Sequence, residues 1–455
     1  MVAAVKDAAA AAAMDGVADK KAAPEKRYVT LVEMAKHSAE GDLWVAVQGK
    51  VYDVTTWLPR HPGGDLPLLS LAGQDVTDAF VAYHPASAWR VLDRYRVATL
   101  SDYAVSEVSR DYRRLVAEFT KAGLFDRKGH VCAASLCAMA ALLAGAVWLV
   151  LATASFGAHM AAAAMLGFLW MQSGFLGHDL GHYVAMRSHR LNHAAQLVAG
   201  NCVAGISIAW WKRNHNAHHI ACNSLDHDPD VQHMPLFAVS PRLFASLRSA
   251  FYRRAMHFDA AARLLVSYQH WTFYPVMCVA RANLFAQSLL LLLDAGTPAR
   301  VPGRAAELAG VAVFWMWYPW LVSRVPGGAA ERAAFVVVSF AVTGIQHVQF
   351  CLNHFSAEAD AGHAGRGVPA VDGLVEHHLF PRLPRCHLRR VAPLVRELCR
   401  KHGLPYERCG FWEANARTLR TLRDAAMQAR ACAAAGGGHA PRNLNLLWEA
   451  VNTHG

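Results

Sequence analysis

From Gly129 to His178 the chain runs for 50 residues without one Asp, Glu, Lys or Arg. A bilayer crossing takes about 20 apolar residues, so a run of this length suits two crossings. They are expected at about 131–153 and 158–177, with a short uncharged loop near Ser155–Ala158. The next loop carries Arg187, Arg190, Lys212 and Arg213, which the positive-inside tendency places in the cytosol. Further apolar segments lie at 195–211, 276–293, 307–323 and 333–352. Arg281, Asn283 and Gln287 interrupt the 276–293 segment, which therefore reads as an interfacial helix. Val325-Pro326-Gly327-Gly328 is a turn signal between the last two, making them a second hairpin. Four crossings return the C-terminus to the side of the N-terminus. Residues 1–25, Ala-rich with Lys6 offset by Asp7, read as a disordered tail and not a signal peptide, so both termini are expected in the cytosol.

Composition agrees. Hydrophobic residues make up 54% and charged ones 17%, which excludes a disordered chain and favours an integral membrane protein. The net charge of +11 reads as cytosolic Lys and Arg facing anionic lipid, with no nucleic-acid partner expected. The ten Cys form no CxxC pair and read as reduced, buried thiols.

Residues 26–102 are more polar and read as a small soluble module. Leu43–Val47 and Lys50–Val54 look like short strands around Gly49, and residues 103–128 like a helical connector. His61-Pro62-Gly63-Gly64 is followed 23 residues later by His84. Two His can hold one haem iron from opposite sides, leaving no open site for oxygen, which suits electron transfer. Trp57, Leu66, Leu69, Leu71, Phe80 and Tyr83 offer an apolar lining. The run Tyr52-Asp53-Val54-Thr55-Thr56-Trp57-Leu58-Pro59-Arg60, continuing into HPGGD, closely resembles cytochrome b5. The resemblance implies haem b with His61 and His84 as its axial ligands.

Three further histidine clusters follow. His178 and His182 are four apart, and His215, His218 and His219 fall at i, i+3 and i+4, so each set lies on one helix face. The third is Glu376-His377-His378. All lie at the cytosolic ends of expected crossings or beyond them, so they can converge on one site of imidazole-bound metal. His189 and His193 repeat the spacing but sit among Arg187 and Arg190 and read as solvated. The Glu-x-x-His repeats of carboxylate di-iron bundles are not the pattern. Taking hydrogen from an unactivated CH₂ needs a strong oxidant, which iron with O₂ supplies, and a haem module can deliver the electrons singly. Trp210-Trp211 and Trp315, Trp317, Tyr318 and Trp320 read as membrane-interface belts. Arg389-Arg390 and the charges from Arg242 to Arg263 read as cytosolic surface, residues 411–431 as a charged helix, and Gly436–Gly438 as a break before a tail at 436–455.

The segments QSGFLGHDLGHY (172–183), GISIAWWKRNHNAHHIACNSLDHDPDVQHMP (205–235), TGIQHVQFCLNHF (343–355) and EHHLFPRLPRCHLRR (376–390) resemble the front-end lipid desaturases fused to cytochrome b5. Within these the chain is most like the plant sphingolipid 8-desaturases, also called 8-fatty-acid desaturases. The resemblance implies a multidomain fold. An N-terminal α+β cytochrome b5-like haem domain (26–102) and a connector (103–128) precede an all-α membrane desaturase domain (129–435) with about four transmembrane helices. It implies two non-haem Fe ions, O₂, and electrons from NADH through cytochrome b5 reductase, at the endoplasmic reticulum membrane. Its candidate catalytic and metal-binding residues are His178, His182, His215, His218, His219, His377 and His378. His354 maps to a further ligand, and His347, two turns earlier, to its surroundings. The implied reaction is insertion of a double bond at carbon 8 of a sphingoid long-chain base. Alternatives are a front-end fatty-acyl desaturase, a lipid hydroxylase, or an inactive paralogue that only carries electrons on haem. The last is motivated by a departure: the family's third cluster reads Gln-x-x-His-His, and here Leu374 occupies the Gln position, after a shortened connection from Phe355. Leu can neither bind metal nor hydrogen-bond to a bound water. A mis-spliced chain, an inactive paralogue and a tolerated loss remain open, and impaired activity is expected.

Overall fold

The computed structural model describes residues 27–127, 129–294, 301–356, 370–371 and 374–434. The expected tails at 1–25 and 436–455, and nearly all of the shortened connection after Phe355, lie outside the described residues. The chain divides into two compact units. The first comprises the chain up to Thr56 with Leu71–Thr77 and Pro85–Ala104; the second comprises Trp57–Ser70, Asp78–His84 and everything from Val105 onward.

The first unit is built on a five-stranded sheet of β1 (Tyr28–Val29), β2 (Ser38–Ala39), β3 (Asp42–Val47), β4 (Lys50–Asp53) and β5 (Arg96–Leu100), in the order β1-β5-β4-β3-β2. Val47 pairs with Lys50, and the intervening Gln48 and Gly49 both take positive φ, 52° and 74°. That two-residue turn has the twist its flanking strands need, so the hairpin expected around Gly49 is present. Leu43 to Val47 are all buried, so β3, next to the central β4, lies within the core of this unit. Short helices α1 (Leu31–Met34), α2 (Leu66–Ser70), α3 (Thr77–Tyr83) and α4 (Ser87–Leu92) are threaded between the strands in sequence, and α2 and nearly all of α3 fall in the second unit.

The second unit is otherwise helical. After α5 (Glu107–Lys121), the expected connector helix, come α6 (His130–Ala152) and α7 (Phe156–Gly181). They pack as the first long hairpin, with the Ser155 hydroxyl accepting from the Ala158 N–H to cap α7. Next are α8 (His189–Leu197), α9 (Ile208–Ala221), α10 (Ala260–Ser267), α11 (Gln269–Met277) and α12 (Arg281–Leu293). Then α13 (Arg304–Ser323) and α14 (Gly328–Phe355) form the second long hairpin across the expected turn. The chain continues with α15 (Leu374–Leu379), α16 (Leu388–Lys401) and α17 (Phe411–Ala434). Among the described residues α6, α7, α13 and α14 are long and apolar enough to cross a bilayer, within a few residues of the expected limits.

Two shorter pairs are bent. α8 and the π-helical turn after it meet α9 at 110°, and α11 meets α12 at 71°. The first bend falls at Gly205, whose φ is +72° and whose missing side chain makes room for the Phe314 ring. The polar side chains of the 276–293 segment do not face water as the interfacial-helix expectation had them. Arg281, Gln287 and Ser288 are buried against protein. The Arg281 guanidinium lies 4.0 Å over the Trp170 ring and donates to the Ala204 carbonyl at the first bend. Polar side chains that looked like a water-facing stripe instead satisfy backbone opened by the bend.

Candidate metal centres

The first cluster sits at the end of α7, with His178 in its last turn and His182 as its C-cap. Gly181 between them is required by packing. A Cβ there would collide with the Trp211 ring and stand 2.7 Å from the Gln196 amide nitrogen. The second cluster rides on α9, whose N-terminus is capped twice. Ser207 Oγ accepts from the Trp210 N–H, and Glu307 of α13 accepts from Ser207 Oγ (2.5 Å) and the Ala209 N–H (3.1 Å). A buried carboxylate at a helix N-terminus complements its dipole, which accounts for an acid within an apolar helix. The third cluster lies on α15. Tyr112 donates to the Leu379 carbonyl (2.7 Å), Tyr406 to Glu376 (2.6 Å), and Phe380 packs between Tyr112 and Phe119. Arg385 reaches back to Asp179 at 2.6 Å, tying the third cluster to the first. Asp179 is thus an orienting partner.

These elements bring all seven expected histidines together. Nε2 to Nε2 distances are 2.9 Å for His182–His215, 2.9 Å for His215–His219, 3.0 Å for His219–His377 and 3.1 Å for His218–His378. Adjacent ligands at right angles around a metal, each bonded at about 2.1 Å, stand about 3 Å apart. Lone pairs converging at this spacing repel unless a cation lies among them. His178, His182, His215, His219 and His377 form one such group. His218 and His354 belong to a second, and His218 has its ring centroid 4.7 Å from those of both His354 and His378. Burial first, then neighbouring imidazoles, hold His182, His377 and His378 well below the ordinary imidazole range. Neutral imidazole is the form that binds metal.

Orienting residues that spacing does not reveal surround the second group. Asp228, fully buried, accepts from His218 Nδ1 (3.1 Å) and from the Asn223 and Asp230 N–H groups. Asn223 Oδ1 accepts from His354 Nδ1 at 2.8 Å. Each contact fixes the tautomer that turns Nε2 toward the site. Cys222 and Asp228 also lie within ligand distance of His218 and His354. Because the Asp228 oxygens are engaged by three donors, the Nε2 set is the better donor set. His347 is buried, faces the Met277 carbonyl at 3.4 Å and joins neither group. His189 and His193 are exposed. Trp211 is not a belt residue, since it stacks on His215 at 4.4 Å, and Trp210 and Tyr318 are buried. Trp315 and Trp320 are exposed as a belt requires.

His61 and His84 both belong to the second unit, with ring centroids 5.9 Å apart. An iron bound on both sides at about 2 Å sets imidazole centroids about 6 Å apart. His61 Nδ1 donates to the Gly64 carbonyl (2.7 Å) and His84 Nδ1 to the Phe80 carbonyl (3.2 Å), leaving both Nε2 atoms to a metal.

A cavity of about 210 Å³ runs from His178, His215 and His378 between α7, α9 and α14. Its walls are mostly apolar, with Trp170, Gly174, Ile206, Leu284 and Phe350 among them. It has the chemistry of a hydrocarbon slot that ends on the candidate metal-binding histidines.

A family model described as a cytochrome b5-like heme/steroid binding domain matches residues 30–101, and one described as fatty acid desaturase matches 155–369. The chain is 54% identical over 454 residues to Delta(8)-fatty-acid desaturase 2 of Arabidopsis thaliana, covering 95% of this chain and 99% of that one. It is 50% identical over 457 residues to an Acyl-lipid (9-3)-desaturase of Borago officinalis, covering 95% and 100%. It is 33% identical over 371 residues to a Delta 8-(E)-sphingolipid desaturase of Emericella nidulans, covering 75% and 66%. With identity above one half over nearly the whole of the Arabidopsis relative, the chain belongs to the fatty acid desaturase family, in the form that carries its own cytochrome b5 domain.

Proposed function

We propose that this membrane desaturase introduces a double bond at carbon 8 of the sphingoid long-chain base of sphingolipids. In this reading it works at the endoplasmic reticulum membrane with its histidine clusters cytosolic, on electrons passed from NADH by cytochrome b5 reductase to its own haem. The observation that carries the reading is the convergence of eight imidazoles, in two groups, on one end of an apolar slot. His178, His182, His215, His219 and His377 would hold one iron, and His218, His354 and His378 the other. Bound there with O₂, the pair supplies an oxidant strong enough to take hydrogen from an unactivated CH₂. The chain's own residues do the rest. Trp170, Ile206 and Leu284 enclose the alkyl chain and exclude water. Asp228 and Asn223 hold protons on His218 Nδ1 and His354 Nδ1, so those rings keep Nε2 free for metal. His61 and His84 hold the haem.

Expression in a host that makes no 8-unsaturated bases tests this. New 8-unsaturated bases are expected, with two hydrogens lost per product. Their absence from cells holding well-expressed, iron-loaded protein overturns the reading. The name of the Borago relative favours a second one, an acyl-lipid desaturase, which the same lipid profile would show as an unsaturated acyl chain with unchanged bases. Leu374 opens α15, where the family pattern has Gln. Leu374→Gln is expected to raise product yield severalfold, and an unchanged yield would remove Leu374 as the cause of weak turnover.

A further inference from the structure

Within the second unit, the segments carrying His61 and His84 are bonded to the segments carrying the histidine clusters. Asn216, next to His215, donates from Nδ2 to the Gly63 carbonyl at 3.0 Å. Arg382, four residues past His378, donates to the carbonyl of His84 itself at 2.6 Å. Tyr83, the chain neighbour of His84, donates from its hydroxyl to the His219 carbonyl at 3.4 Å. Its ring stands edge-on to the His219 ring with centroids 6.0 Å apart. Around these contacts Leu66 packs on Ala217 and Phe251, Asp65 pairs with Arg253 at 3.1 Å, and Asp78 pairs with Arg113 at 2.6 Å. An apolar knob inside a rim of hydrogen bonds and ion pairs is how a fixed interface is made.

We infer that Tyr83 is the bridge by which electrons leave the haem held by His61 and His84 for the metal pair at His219, and that Asn216 and Arg382 are positioning residues that fix its length. The inference rests on the desaturase reading above. From the His84 ring through the backbone and the Tyr83 ring to the segment of His219, the path is covalent except for one hydrogen bond. Electron transfer falls steeply with distance and crosses bonds more readily than gaps, so one aromatic ring held in this span decides the rate. Tyr83 is neither oxidised nor deprotonated. Each passage turns one ferrous haem ferric and adds one electron to the metal pair. Two passages, two protons from solvent, and the two hydrogens taken from the lipid chain together reduce one O₂ to two waters.

The test uses the full-length, haem- and iron-loaded protein, reduced without oxygen and then mixed with O₂ and lipid, with haem reoxidation followed at its Soret band. Tyr83→Leu is expected to slow reoxidation about tenfold and Tyr83→Phe, which keeps the ring and loses the hydrogen bond, about threefold. In Tyr83→Phe, which keeps the ring, the haem spectrum and midpoint potential should stay as in the unsubstituted protein. Turnover driven by a diffusible chemical reductant should fall far less than haem-driven turnover. Unchanged reoxidation in Tyr83→Leu overturns the inference, as does an equal loss with both electron sources. Should Tyr83→Leu fail to bind haem, Tyr83→Phe and Arg382→Gln decide, and native reoxidation in both overturns it. Failure of the desaturase reading looks different: the unsubstituted protein then makes no product whatever residue 83 is.

Discussion

A methyl group at position 63 would stand 2.8 Å from Cε1 of His61. The turn therefore needs glycine there for a steric reason, and the ring that pays is an expected haem ligand. Gly63→Ala is expected to swing His61 out of line and lower haem content at least severalfold, read as the Soret absorbance per mole of purified protein. Full haem loading would show that the loop yields more easily than the close approach implies. The residue scale is also where sequence reading was strongest and weakest. Histidines spaced for one helix face were legible because the spacing alone aligns them. Asp228 and Asn223 were not, because an Asp ten residues past His218 orients it only through a turn that spacing does not encode. Trp211 was misread as a membrane-belt residue, since an aromatic at the end of an apolar stretch looks the same whether it meets lipid or stacks on His215.

Among the elements, α9 depends on a residue from elsewhere in the chain. Glu307→Ala removes the acceptor for the buried Ser207 Oγ and the half-buried Ala209 N–H, and is expected to cost about 2–4 kcal/mol. Thermal unfolding in detergent should show a lower midpoint, and Glu307→Gln, which keeps an acceptor, should recover part of the loss. An unchanged midpoint would mean that water replaces the cap. The joint between α5 and α16 is governed by pH. Asp111 on α5 receives hydrogen bonds from Lys401 (2.5 Å) and His402 (2.9 Å) at the end of α16. Its carboxyl is pushed down to about 2, first by the Lys401 hydrogen bond and then by His402. A depressed carboxyl stabilises the fold fully above its unfolded value near 3.8 and loses that contribution as pH falls through about 2. Asp111→Asn should therefore flatten the pH dependence of stability between those values and leave it unaltered near neutrality. Helix identity here was legible from apolar length and charge; the two bends were not. The 195–211 stretch signals its break only by Gly205, and the partner that requires it, Phe314, lies far along the chain.

At the scale of the whole molecule, the described residues hold four candidate crossings, or six if each bent pair counts as one. Both numbers are even, and with either one the described residues before α6 and after α14 would fall on the same side. Cys386 and Cys432 are exposed and lie beyond α14, the last candidate crossing. In sealed microsomes both are expected to react with an impermeant maleimide added from the cytosolic side. Labelling only after the membrane is opened would place the third histidine cluster in the lumen and contradict the proposed orientation. The bent pairs also bear on how the protein is made. α11 and α12, at 9 and 13 residues, are about 14 and 20 Å long, each short of the hydrocarbon thickness of about 30 Å. α8 and α9 are in the same position. Neither half can enter a bilayer as an independent span with its backbone satisfied, whereas the two long hairpins can. The hairpins must be in place first, as a framework onto which the halves fold. Because α9 carries His215, His218 and His219, these histidines would join the other two clusters only at that second stage of biogenesis.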